Sequence, residues 1–112
     1  MLPAMSASLY ASWVKRAACV RFGVTVAEID SPAKPATLAR ARQIAMAVLR
    51  DLFPHVSYPE IGAAFGGRDH TTAIGACRKV ETMRAEDAVW SSDYDAVRRL
   101  AIDMMPEDRR PA

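Results

Sequence analysis

Apolar residues recur along this chain at helical rather than strand spacing, and turn residues interrupt them at regular intervals. Leu9, Trp13, Ala17 and Val20 fall on one helical stripe, and Gly23 stands where a helix C-terminus favours a left-handed residue. Thr25 followed by Glu28 has capping-box spacing, which predicts a short second helix before Asp30-Ser31-Pro32. Ser31–Ala36, with two prolines and Lys34, reads as an exposed loop. Ala41, Ala45, Val48 and Leu52 define the apolar arc of a third helix, which Pro54 stops. Arg42 and Arg50 fall outside that arc, on flanks open to solvent or a ligand, and Met46 falls off it as well. Ser57 and Glu60 repeat the capping-box pattern with Pro59 in the first turn, and introduce a short helix over Tyr58–Phe65. Gly66-Gly67 breaks that helix. Asp69 is then an N-cap for a helix from His70 to about Ala85, with Ala73, Ala76, Cys77 and Val80 toward the core. Ser92 opens a last helix, Pro106 ends it, and residues 107–112 are expected to fray.

The result is an all-α fold, a small helical bundle of five or six helices in a single domain over residues 1–112, with its core in about 9–105. Within it sits a helix-turn-helix: a short helix, a Gly-Gly turn and a longer helix that begins with small polar residues.

Composition narrows the function classes. With 51% hydrophobic and 25% charged residues the chain reads as an ordinary globular domain. No apolar run reaches the roughly 20 residues a bilayer span needs. The first ten residues lack a basic segment followed by a continuous apolar one, so no signal peptide is expected and the protein is placed in the cytoplasm. Cys19 and Cys77 belong to no CxxC or Cys/His cluster and read as reduced, packed thiols. His55 and His70, the two histidines, have no nucleophile or metal partner at useful spacing; the chain reads as a non-enzyme with no cofactor and no metal.

Net charge is only +2, but it is unevenly distributed. Between Lys15 and Arg84 there are eleven Lys/Arg against six Asp/Glu, whereas residues 85–112 hold four against seven. From Lys34 to Arg50 there are four basic residues and no acidic one. This polarity suits a domain with one side toward a polyanion, and equally a solvated charged surface.

The start of the helix at His70 supplies the chemistry. A helix that enters the DNA major groove, about 12 Å wide, needs short polar side chains in its first turn and benefits from its N-terminal dipole near phosphates. Asp69-His70-Thr71-Thr72 meets that need. Aspartate can accept from cytosine N4, threonine can hydrogen-bond or offer its methyl to thymine, and histidine can donate or accept. Gly75 lies one turn on, on the face of Thr71 and Thr72, where a packing or close-approach reason would offset its helix cost. Helix capping alone would also account for Asp69 and Thr72.

The stretch YPEIGAAFGGRDHTTAIGACRKVE, Tyr58 to Glu81, resembles the signature of the C-terminal DNA-binding domain, domain IV, of the bacterial replication initiator DnaA. The likeness runs back through Ala39-Arg40-Ala41-Arg42-Gln43 and covers roughly residues 12 to 100. It implies a Trp-repressor-like helix-turn-helix and a double-stranded DNA partner, the DnaA box. Asp69, His70, Thr71 and Thr72 would read base edges. Arg42, Arg50, Pro59, Arg68 and Lys79 would contact the DNA backbone, and Arg40 would give general electrostatic help. The resemblance implies a monomer; a stand-alone, nucleoid-associated DnaA-like regulator of replication initiation or transcription is expected, and the lack of a phosphate loop in the sequence argues against ATPase activity. Two departures from the family pattern matter. Its basic loop usually holds several arginines, one of which enters the minor groove; here only Lys34 could serve, which implies weaker affinity for the box. No GxxxxGK[ST] phosphate loop occurs in the sequence. The thinned loop and the acidic C-terminal segment leave a second reading open: a protein-interaction mimic of the DnaA C-terminal domain that modulates DnaA by binding DnaA itself or its partners.

Overall fold

One helix, α3 (Ala36–Leu52), organises the rest because it is apolar almost all round: Leu38, Ala41, Ile44, Ala45, Met46, Val48, Leu49 and Leu52 are all buried. In this computed structural model, which describes residues 3–111 and their side chains from residue 7, five other helices pack against α3. They are α1 (Pro3–Phe22), α2 (Val26–Asp30), α4 (Tyr58–Ala64), α5 (His70–Glu86) and α6 (Ala88–Met104). A 3-10 turn at Glu107–Arg109 follows, and no strand occurs among the described residues. The fold is all-α and contains the helix-turn-helix at α4 and α5.

Two differences from the periodicity are informative. Met46 is 1% exposed rather than peripheral, because α3 has neighbours on nearly every side. In α1 only the middle of the expected stripe is buried: Trp13 and Ala17 are in the core, Leu9 and Val20 are 40% and 63% exposed, and Ala7, Ala11, Val14 and Ala18 also face inward. Small residues let α1 approach both α3 and α6, so its contact face is richer in alanine than in large apolar residues.

The local signals of the sequence explain the ends of the helices. Thr25–Glu28 and Ser57–Glu60 are reciprocal capping boxes, in which the hydroxyl accepts from the N3 amide and the glutamate accepts from the cap residue's own amide. Asp87 ends α5 and also caps α6, accepting from Val89 N at 2.8 Å. The last helix therefore opens at Ala88, a turn before Ser92. Tyr94 donates to Asp51 at 2.8 Å, tying α6 to α3.

Candidate functional site

Construction begins at the turn between α4 and α5. Gly66 and Gly67 have φ of +75° and +73°, a backbone region that side chains disfavour. At Gly66 space is restricted too, since a Cβ would collide with the carbonyl oxygen of Asp30. On the other side of the turn Gly62 lets the chain cross α4 closely: its carbonyl accepts from Arg68 N at 2.9 Å, and a Cβ there would strike the carbonyls of Arg68 and Asp69. Phe65 and Ile61, both fully buried, anchor α4 beneath the turn, each stabilising by about 1.5–3 kcal/mol.

This turn aims α5 outward. Asp69, His70, Thr71 and Thr72 are all exposed and form one continuous polar end, while Ala73, Ala76 and Val80 on the other face are buried and Cys77 is half-buried. Asp69 Oδ1 accepts three hydrogen bonds: from Thr72 N at 3.0 Å, Thr71 Oγ1 at 2.6 Å and Thr72 Oγ1 at 3.2 Å. The Thr71 hydroxyl bond first, and then the Thr72 amide, hold the Asp69 carboxyl below the ordinary aspartate range. The arrangement has a chemical polarity. Both threonine hydroxyls donate inward, so outward they present lone pairs and methyl groups. Gly75 is exposed with open space above it, so no packing within the chain accounts for it.

The arginines are a correction. Arg42, expected on an open flank, is 7% exposed. Its Nε donates to Ile29 O at 2.6 Å, and its Nη2 lies 3.1–3.2 Å from the carbonyls of Glu28, Ser31 and Ala33. Burial first, and then the neighbouring Arg68, push its pKa down from the usual arginine value. Arg42 is not on an open flank because its guanidinium is enclosed by carbonyls at the end of α2 and in the loop that follows. Arg68 is half-buried and donates to Phe65 O and Ser31 O, both at 2.6 Å. Arg50 donates to Val56 O at 2.7 Å with its guanidinium 4.4 Å from the Tyr58 ring centroid, which braces the start of α4. Arg50, set on an open flank by the helical periodicity, is thus half-buried.

Lys34, Pro59 and Lys79 are exposed. Lys34 tops the loop that Arg42 and Arg68 hold, and the Lys79 ammonium lies 5.8 Å from the Trp90 ring centroid. Two clusters have no signal in the sequence. Lys15 reaches across from α1 to both oxygens of Asp30 at 3.1 Å and to Ala64 O at 2.6 Å, joining three helices below the turn. Asp93, buried on α6, lies 3.1 Å from Arg21 and 3.4 Å from Arg40, and Arg40 also faces the rings of Phe22 and Trp90. These pairs lie far apart along the chain. Among the described residues no His, Cys, Asp and Glu group could hold a metal, and no helix is long and apolar enough to cross a membrane.

Comparison with known proteins places this geometry. The chain is 43% identical over 81 residues to the chromosomal replication initiator protein DnaA of Psychromonas ingrahamii, an alignment covering 72% of this chain and 18% of that protein. It is 40% and 41% identical over 87 residues to the proteins of the same name from Acinetobacter baylyi and Acinetobacter baumannii, in each case covering 78% of this chain and 18% of the relative. The chain thus spans less than a fifth of the length of the curated relatives it matches. A family profile described as the bacterial dnaA protein helix-turn-helix matches residues 12–80, more than half of the sequence, including α4, the turn and α5 as far as Val80. By that match, the chain belongs to the bacterial DnaA helix-turn-helix family.

Proposed function

We propose that this domain binds double-stranded DNA sequence-specifically at DnaA-box-like sites, and through that occupancy regulates replication initiation or transcription. One observation supports the reading above the rest: the N-terminal turn of α5 is an exposed run of Asp69, His70, Thr71 and Thr72, set on a turn fixed by Gly62 and Gly66. A helix N-terminus with short polar residues suits the major groove, and the Asp69–threonine bonds give it a defined pattern of acceptors and methyls. Such a surface favours base pairs that offer an exocyclic amino donor or a thymine methyl. Pro59 at the start of α4 and Lys79 along α5 are assigned to the DNA backbone, and Lys34 to the minor groove beside it. Arg68 and Arg50 are assigned mainly to bracing this surface. The domain is assigned to act as a monomer, since one α5 turn serves one asymmetric site.

The test is a salt titration of binding to a box duplex and to a scrambled duplex of equal length. A clear preference for the box that shrinks in a Thr71→Ala/Thr72→Ala double variant is the expected result. Equal affinity for both duplexes would remove the claim of sequence reading, and no binding to either would remove the claim of DNA binding.

A further inference from the structure

The loop carrying Lys34 has few apolar anchors of its own: Pro32, Ala33, Lys34 and Pro35 are all exposed. Its backbone is held instead by two guanidinium groups. Arg42 gathers the carbonyls of Glu28, Ile29, Ser31 and Ala33 from the α3 side. Arg68, the residue before the Asp69 cap, donates to the same Ser31 carbonyl from the helix-turn-helix side. Behind them the Asp30 carbonyl presses on Gly66, and Lys15 ties Asp30 to Ala64. Loop and turn therefore meet at the Ser31 carbonyl, which Arg42 and Arg68 both hold.

We propose that Arg42 is a positioning residue for DNA binding: it fixes the Lys34 loop relative to the N-terminus of α5, so that two separate parts of the surface meet one duplex together. The inference rests on the DNA-binding reading above and adds to it a role without direct contact. The alternative it opposes is that Arg42 neutralises a phosphate. The two differ in what lysine can replace. A phosphate accepts a lysine point charge readily, whereas a single ammonium cannot span carbonyls that Nε and Nη2 now share. If loosening leaves the loop correctly placed about one-tenth of the time, apparent affinity falls about tenfold.

The experiment measures box-duplex affinity for the wild type, Arg42→Lys, Arg42→Gln, Lys34→Ala and the Arg42→Gln/Lys34→Ala double variant, at a temperature where circular dichroism shows each to be folded. Arg42→Lys and Arg42→Gln are expected to lose a similar factor, about tenfold. Lys34→Ala should cost several-fold alone and less than about twofold on top of Arg42→Gln, since the loop it sits on is already displaced. Wild-type affinity in Arg42→Lys, or losses that multiply in the double variant, would overturn the proposal. Should Arg42 variants not fold, Arg68→Lys decides by the same comparison with Lys34→Ala, because Arg68 holds the Ser31 carbonyl from the less buried side. A wild type that does not distinguish box from scrambled duplex strikes the underlying reading instead, which separates the two failures.

Discussion

Gly66 and Gly67 offer a controlled comparison, because they are adjacent, both exposed and nearly identical in backbone conformation. Alanine at Gly67 meets no atom within 4 Å, so its cost is conformational alone. A non-glycine residue in the left-handed region costs roughly 1–2 kcal/mol, offset in part by a stiffer unfolded chain, for a net loss of about 1 kcal/mol. Alanine at Gly66 carries the same cost and must also displace the Asp30 carbonyl and the Arg68 guanidinium. Overpacking of this kind typically adds about 1–3 kcal/mol, and here the obstacle is backbone, which yields less easily than a side chain. The expected totals are about 1 kcal/mol for Gly67→Ala and about 2–4 kcal/mol for Gly66→Ala. At about 4–8 °C per kcal/mol for a domain near this size, the two melting temperatures should be well separated in a thermal unfolding scan. Because the Gly66 contact also sets where the α2 end lies against the turn, box affinity should fall more for Gly66→Ala than for Gly67→Ala when both are folded. Equal melting temperatures for the two variants would show that Asp30 does not confine the turn.

Three further outcomes follow from the same geometry. Thr71→Ala and Thr72→Ala should each cost about 1–3 kcal/mol of discrimination between box and scrambled duplex, while Lys79→Ala weakens both alike and lowers the salt slope by about 0.9; competition binding at several salt concentrations distinguishes the patterns. The Asp69 carboxyl titrates below its ordinary value of 3.8 because Thr71 and Thr72 donate to it. Its contribution to stability is thus present above that value and lost as pH falls through the lower folded-state one. Urea unfolding of Asp69→Asn should accordingly show a shallower acid decline than the wild type, and parallel declines would contradict the assignment. Gly75→Ala should stabilise the domain by about 1 kcal/mol, since α5 has open space there and glycine is the poorer helix former; a lower urea midpoint would show that the space above Gly75 is not free.

What the sequence made legible was local. Thr25–Glu28, Ser57–Glu60 and Asp69 set helix starts with side chains that lie within three residues of the amides they satisfy, so spacing alone identifies them. The exposed polar end of α5 follows from the same logic, because a Gly-Gly break and an N-cap leave the next four residues at a helix terminus. Orientation of whole helices was less accessible. The stripe through Leu9 and Val20 is a sound helical pattern, yet α1 turns its alanine face to α3 and α6, and nothing within α1 states which face its neighbours will require. Arg42 failed in a similar way. Periodicity correctly sets it off the apolar arc of α3, but off the arc is not outside the protein when α2 and its loop cover that side. Asp93 with Arg21 and Arg40 was invisible because the partners come from three different helices.

The arginines also change how the basic surplus should be understood. Counting charge between Lys15 and Arg84 suggests an open cationic surface, but several of those cations are already committed. Lys15 and Arg42 are buried on carboxylate or carbonyl oxygens, Arg68 and Arg50 are held by carbonyls, and Arg21 and Arg40 share Asp93. Hydrogen bonds from a charged donor contribute about 1.5–3 kcal/mol each, more than exposed ion pairs do. A guanidinium fixed on backbone carbonyls keeps its positive charge, so it still raises the potential nearby while releasing no counterion of its own. The basic residues of this domain thereby divide into those that shape the surface and those, such as Lys34 and Lys79, that stand on it. Net affinity for a polyanion would depend on the second group, and the accuracy with which the α5 turn and the Lys34 loop meet it together would depend on the first.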